Sequence, residues 1–271
     1  MRKAVFLTLA LPALLAPDLS LAATIRVPED FKKIHEAVVS ASSGDVVTVG
    51  PGVYSENILI KKPITLKSSS GADATVVIAA AKDAPVFSIR DTDGVTISGF
   101  TVRGSAIAGI SIHNVTGSRI EGMKAAGNEN GILVYSSSRN VFTGNSSEKN
   151  AQYGIYLEGS DGNIITGNSA SSNGDKGIFL SSSNNNTLTD NAVNLNTWNG
   201  ILLLSSHRNI VKDNKALRNT YGIISTDSDD SEFANNSVWP NLVIILPIIL
   251  IYAGIAAYII QRVLFRVIYR D

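Results

Sequence analysis

Asp190 and Asp213 stand 23 residues apart, with Lys212 beside the second and Glu158 and Asp161 upstream. If that spacing sets residues in neighbouring turns of one backbone, the two carboxylates lie about 5 Å apart, the distance between adjacent strands. Paired acids with a cation close by suit acid–base work on a polysaccharide, and they also suit Ca²⁺. Leu133, Tyr156, Phe179 and Leu202 share the same spacing, and Tyr135 lies two residues beyond Leu133. On one outward face they would form an apolar line roughly 15 Å long, a surface that calls for a partner. Aromatic rings there could stack on sugar faces or bury against another protein. Metal ligands are sparse: Met123, His35, His113 and His207, with no cysteine in the chain. No metal site is assigned, and no cofactor, with Ca²⁺ the one ion the acidic positions would suit.

The elements that must position these residues follow from a repeat. Gly131, Gly154, Gly177, Gly200 and Gly222 fall 23, 23, 23 and 22 residues apart, and Gly109 continues the series upstream. Each unit holds short alternating apolar runs without helical spacing, so it reads as short strands joined by tight turns. One unit cannot bury its own apolar face, and stacking on the next unit does so. Core columns follow: Ile110, Ile132, Ile155, Ile178, Ile201 and Ile223, and on another strand Ile120, Phe142, Ile165, Leu188, Val211 and Phe233. Between them run asparagine columns, such as Asn145, Asn168, Asn191, Asn214 and Asn236, and a serine column, Ser137, Ser160, Ser183, Ser206 and Ser228. Asparagine tolerates the backbone of a sharp corner, and stacked amides bond to one another. The positions matching Asp190 and Asp213 are Gly144, Gly167 and Asn235, which marks a turn where aspartate is ordinary.

Net charge is zero and there is no long basic run, which argues against a nucleic-acid partner. Met1–Ala23 has Arg2 and Lys3, an apolar run from Ala4 to Ala16 and then Ser20-Leu21-Ala22, the pattern of a secretory signal peptide. From Thr24 to about residue 85 the coils are irregular, and Pro28 is expected to open a helix with Phe31, Ile34, Ala37, Val38 and Ala41 on one face. That helix would cap the first coil. Regular coils of 22–23 residues occupy 86–238. Leu242–Ile260 is nineteen residues without a charge, long enough to cross a bilayer. Trp239 and Tyr258 suit the interfaces, and Arg262, Arg266 and Arg270 follow, so 239–261 is expected to span the membrane with 262–271 as a basic cytoplasmic tail. At most five residues separate Asn236 from Leu242, which would stand the coil on the membrane.

The order of helix, Gly44-Asp45 turn, the stretch PGVYSENILIKKPITL and asparagine-rich coils resembles secreted proteins of the pectin-lyase-like superfamily. It is most similar to the subgroup named for NosD, an accessory protein of nitrous-oxide reductase maturation, and for carbohydrate-binding proteins and sugar hydrolases. The resemblance implies a right-handed parallel β-helix over 24–238; with the helix after Pro28 and the span at Leu242–Ile260, the expected fold is an all-β, single-stranded right-handed parallel β-helix with an N-terminal capping helix and one C-terminal transmembrane helix. The Asp-pair and Gly-His-Gly signatures of polygalacturonases and the Asp-Pro-His-Asp signature of alginate epimerases are missing. No catalytic residue is therefore assigned, and Asp190, Asp213 and Lys212 stay as weak candidates. The expected function is a non-catalytic, membrane-anchored binding or scaffold role in the cell envelope. It would act through Leu133, Tyr135, Tyr156, Phe179 and Leu202 on a glycan or on a membrane-complex protein, as a NosD-like accessory subunit would. The alternative is a carbohydrate-active enzyme: lyase, hydrolase or epimerase. The coil is expected outside the cytoplasm, on a single-pass protein of the inner membrane.

Overall fold

A computed structural model of the 271-residue chain describes residues 22–240, 251–252 and 255–260. Among these, strands one per coil form a ten-stranded, an eight-stranded and a five-stranded sheet, with a further two-stranded pair. All three sheets wrap one core, and the pairing is parallel throughout the regular coils. Residue 110 faces 132, then 155, 178, 201 and 223, so the spacing read from the glycines is the register of the eight-stranded sheet. The second column, from Ile120 through Phe142 to Phe233, is the register of the ten-stranded sheet, but it is core only as far as Val211: Phe233, with no described coil of that sheet stacked beyond it, is 43% exposed. From Ile110 to Ile201 the first column is wholly buried. Each such side chain contributes roughly 1.5–3 kcal/mol by leaving water.

Close approach explains the glycine column. A Cβ on Gly154 would lie 2.6 Å from the Gly177 carbonyl oxygen and 2.8 Å from the Ala170 Cβ. No larger residue fits between coils there. The asparagine columns are buried ladders. The Asn168 Oδ1 accepts from the Asn145 backbone N–H (2.9 Å) and Nδ2 (3.0 Å), while its own Nδ2 donates to the Phe142 carbonyl and to the Asn191 Oδ1. Serines repeat the pattern at another corner, where the Ser137 N–H donates to the Ser160 Oγ and the Ser160 N–H to the Ser183 Oγ.

Near the N-terminus the helix covers Ile34–Ser40 and buries Ile34, Ala37 and Val38. It starts later than expected, because 26–31 forms a turn in which the Asp30 and Phe31 N–H groups both donate to the Arg26 carbonyl. The apolar face is the expected one, with Phe31 packed on the core and Ala41 buried. Both helix ends are tied by charged side chains from the first coil. The Glu56 carboxylate accepts from the Ile34 and His35 N–H groups, and Lys62 donates to the Val39 and Ala41 carbonyls. Each charge has the sign that the helix end favours. Beside the helix, N–H bonds from Ser42 and Ala23 hold the Asp45 carboxyl below its ordinary range.

At the far end the last strand, Ser237–Pro240, contains Trp239, which the sequence placed at the membrane boundary. Met1 to Leu21 of the expected signal peptide lies outside the described residues, as does much of Leu242–Ile260. Residues 251–252 and 255–260 are helical and exposed, and among the described residues no helix is long and apolar enough to cross a membrane.

The ladder sets a stability prediction. Asn168→Ala leaves the buried Asn145 N–H without its acceptor, at about 1–3 kcal/mol for a group left unpaired, and takes from the Asn145 Nδ2 one of its two bonds. Its urea midpoint should fall by an amount equivalent to about 1–3 kcal/mol, whereas an unchanged midpoint would show that the ladder is dispensable.

Candidate functional site

On the outer face of the eight-stranded sheet, the strands Asn130–Tyr135, Ile155–Glu158, Ile178–Ser181 and Asn199–Leu204 alternate residues inward and outward. Leu133, Tyr156, Phe179 and Leu202 are in register across them, as are Tyr135, Glu158, Ser181 and Leu204. Leu133 departs from expectation: only 5% of it is exposed. Its neighbours Tyr135 and Tyr156 are large rings that meet edge to face at 5.9 Å, which takes Leu133 out of the open surface. Tyr135, Tyr156, Phe179 and Leu202 remain partly exposed.

Tyr156 and Phe179 stack with centroids 4.8 Å apart and planes 13° from parallel. They cover part of each other's faces, and Tyr153 closes the group at 5.2 Å from Tyr156 and 5.6 Å from Phe179. The Lys176 ammonium stands 5.2 Å from both the Tyr153 and Phe179 ring centroids and is bonded to the Asp175 carboxylate at 2.8 Å. Only 16% of the lysine side chain is exposed. Ring faces and carboxylate together replace the water this cation has lost. One coil further, Trp198 and Tyr221 lie nearly parallel at 6.3 Å, each about half exposed, at 51% and 50%. The rings from Tyr135 to Tyr221 follow five successive coils, a track about 19 Å long at the strand spacing.

Tyr153, Asp175, Lys176, Trp198 and Tyr221 were not singled out from the sequence. They lie just before the repeated glycines, in positions where residue type changes from coil to coil: Asn130, Tyr153, Lys176, Asn199, Tyr221. A signal was present in the concentration of rings at those positions, but only the coil's corner brings them beside Tyr156 and Phe179.

The weak catalytic candidates sit elsewhere. Asp190 and Asp213 both have a φ of 57°, at the corner that follows the ten-stranded sheet, where Gly144 and Gly167 have the same left-handed backbone. Lys212 points its ammonium to Glu232 at 2.7 Å. This corner and the aromatic track belong to different sides of the coil. In the acidic stretch Asp227, Asp229, Asp230 and Glu232 of the last described coil, the Asp227 carboxylate accepts from the Ser205 Oγ, and Glu232 is the partner of Lys212. Among the described residues no group of three or more histidine, aspartate or glutamate side chains is placed to share an ion.

Electrostatics within the track favour neutral tyrosines. Burial first, and then the hydrogen bond its hydroxyl donates to Glu158 (2.9 Å), push the Tyr156 pKa well above the ordinary phenol range. Burial and the Glu158 charge raise Tyr135 as well. A raised pKa means the phenol keeps its proton as pH climbs past 10, so Tyr156 is no phenolate base at neutrality. In a spectrophotometric titration the absorbance step of Tyr156, identified by its loss in Tyr156→Phe, should fall above the ordinary phenol range. Glu158→Gln should bring it to lower pH, and an unshifted Tyr156 step in that variant would contradict the described hydrogen bond.

Comparison with known proteins agrees with this architecture. Residues 86–238 match the family model described as right handed beta helix region. A cell surface glycoprotein of Methanothermus fervidus is 34% identical over 125 residues, which is 44% of this chain and 20% of that protein. The chain thus spans about a fifth of the length of this relative. Among solved structures, the periplasmic alginate epimerase AlgG superposes with a TM-score of 0.58 at 19% identity, over 72% of this chain and 60% of its own. The catalytic domain of an α-1,3-glucanase in complex with nigerose gives 0.56 at 16% identity, over 84% and 47%. At such identities the two likenesses show a shared fold. With the family match covering more than half of the sequence and the coils stacked in the register its spacing dictates, the chain belongs to the right-handed β-helix family.

Proposed function

We propose that this protein is a non-catalytic glycan-binding β-helix of the cell surface, holding an envelope polysaccharide along the aromatic track from Tyr135 to Tyr221. The observation that carries the reading is the track itself. Rings from five successive coils line one face, ending in the half-exposed Trp198 and Tyr221, with Glu158, Asp175 and Lys176 as polar groups among them. Apolar ring surface beside fixed charged groups suits a sugar chain, which offers C–H faces and hydroxyls in alternation. The name of the Methanothermus relative supports a surface location, and the names of the solved neighbours, an alginate epimerase and a glucanase, support a saccharide ligand.

Secretion by Met1–Ala23 and anchoring by Leu242–Ile260 complete the proposal, with the coil outside the membrane and the helix at Ile34–Ser40 closing its outer end. The second reading, a carbohydrate-active enzyme, draws on the same two solved structures. Against it stand Tyr156, whose proton is held by Glu158, Lys176, whose ammonium is held by Asp175, and the separation of Asp190 and Asp213 from the track. A NosD-like accessory role would place a membrane protein on this face instead of a sugar.

Binding of the purified protein to polysaccharide from its own envelope should weaken about tenfold for Phe179→Ala and again for Trp198→Ala, or about 1.4 kcal/mol each. Asp190→Gly with Asp213→Gly should leave affinity and stability unchanged, since glycine is what that corner holds in other coils. Loss of binding in the aspartate variant with retention in the ring variants would reverse the assignment. A co-purifying membrane protein released by Phe179→Ala would favour the accessory role.

A further inference from the structure

Four tripeptides in the chain fit Asn-x-Ser/Thr: Asn114-Val115-Thr116, Asn145-Ser146-Ser147, Asn185-Asn186-Thr187 and Asn235-Asn236-Ser237. The fold divides them sharply. Asn114, Asn185 and Asn235 are exposed and lie at the apices of corners, with φ of 55°, 56° and 54°. Asn145 is a ladder residue, 1% exposed, whose Nδ2 donates both to the Ile120 carbonyl (2.8 Å) and to the Asn168 Oδ1 (3.0 Å).

We propose that Asn114, Asn185 and Asn235 are N-glycosylation acceptors and that Asn145 is not. The inference rests on the extracytoplasmic location proposed for the coil, since the sequence pattern is read only in secreted chains. In the transfer, an Nδ2–H bond breaks and an Nδ2–C1 bond forms. The sugar's C1–O bond to its donor, an oligosaccharide carried on a lipid phosphate, breaks with its electron pair left on the phosphate oxygen, and the proton is released. An acceptor must therefore have one amide hydrogen to give and keeps the other. Asn114 uses one, for Asp91 at 2.9 Å, and that bond can persist on the glycosylated amide. Asn185 is engaged through its Oδ1 by the Arg208 Nε at 3.1 Å, not through its Nδ2. Among the described residues the Asn235 Nδ2 donates to nothing. Asn145 has both hydrogens committed, and a glycan there would break two ladder bonds inside the coil.

Position adds a second reason. Asn114 and Asn185 sit between the eight-stranded and ten-stranded sheets, and Asn235 follows the strand Glu232–Ala234. None lies at the corner that leads into the eight-stranded sheet, where Trp198 stands. Glycans on these edges would stiffen and screen the corners while leaving the aromatic track open.

The test is glycopeptide mass spectrometry of the full-length protein purified from its native cells, alongside labelling of intact cells with a membrane-impermeant amine reagent. The expected result is a common added mass on the peptides carrying Asn114, Asn185 and Asn235 and none on Asn145. Thr116→Ala, Thr187→Ala and Ser237→Ala should each remove one glycan while keeping the asparagine. A chain that is labelled on intact cells but carries unmodified asparagines overturns the glycosylation proposal and leaves the surface location standing. A chain neither labelled nor modified overturns both, and a glycan found on Asn145 overturns the rule that the ladder excludes it.

Discussion

The Asn145 N–H finds its partner in the side-chain oxygen of Asn168, 23 residues further along, and the same bond recurs from Asn168 to Asn191 and from Asn191 to Asn214. Each coil is thus completed by the next. A corner buried without that partner would lose about 1–3 kcal/mol for every orphaned group, so both the spacing and the residue type are under constraint at each corner. Parallel backbone pairing sets the distance between coils, the ladders set the corners, and the apolar columns fill what lies between. Little freedom is left inside. Function has to be written on outward positions and on corner apices, where a change of residue costs the stack almost nothing.

That division also decides which features of the molecule are legible in its sequence. Columns that recur are the ones the coil requires, and they were legible: the glycines at close approach, the isoleucine and leucine columns, the asparagine and serine ladders, and the apolar face of the helix at Ile34–Ser40. The turn character of Asp190 and Asp213 was legible too, through Gly144 and Gly167 in the same column. Positions that vary from coil to coil carried the rest and were harder to read. Tyr153 and Lys176 occupy one column yet meet rings of another, because the corner folds them back over the strand that follows. Leu133 matched the outward pattern but is covered by larger neighbours, which alternation along a strand cannot reveal. The turn at 26–31 displaced the helix start because the Arg26 carbonyl gathers two N–H groups before the helix begins.

The two kinds of candidate chemistry are separated by the cross-section of the coil. Carboxylates at the corner after the ten-stranded sheet hold left-handed backbone, and the nearby ammonium of Lys212 is engaged by Glu232. The aromatic track lies on the eight-stranded sheet, and its polar groups are already matched in pairs, Tyr156 with Glu158 and Lys176 with Asp175. Matched pairs hold still. A surface that is rigid, aromatic and internally hydrogen-bonded is suited to gripping a ligand, whereas acid–base catalysis needs a group free to take or give a proton.

Amide hydrogen exchange, run with and without polysaccharide from the same cell envelope and with reducing ends assayed in the same samples, tests this division most directly. The account predicts slower exchange in peptides covering 151–158, 174–181 and 196–204, no change at 187–191 or 210–215, and no new reducing ends. Protection confined to 187–191 and 210–215, or release of sugar products, would contradict it.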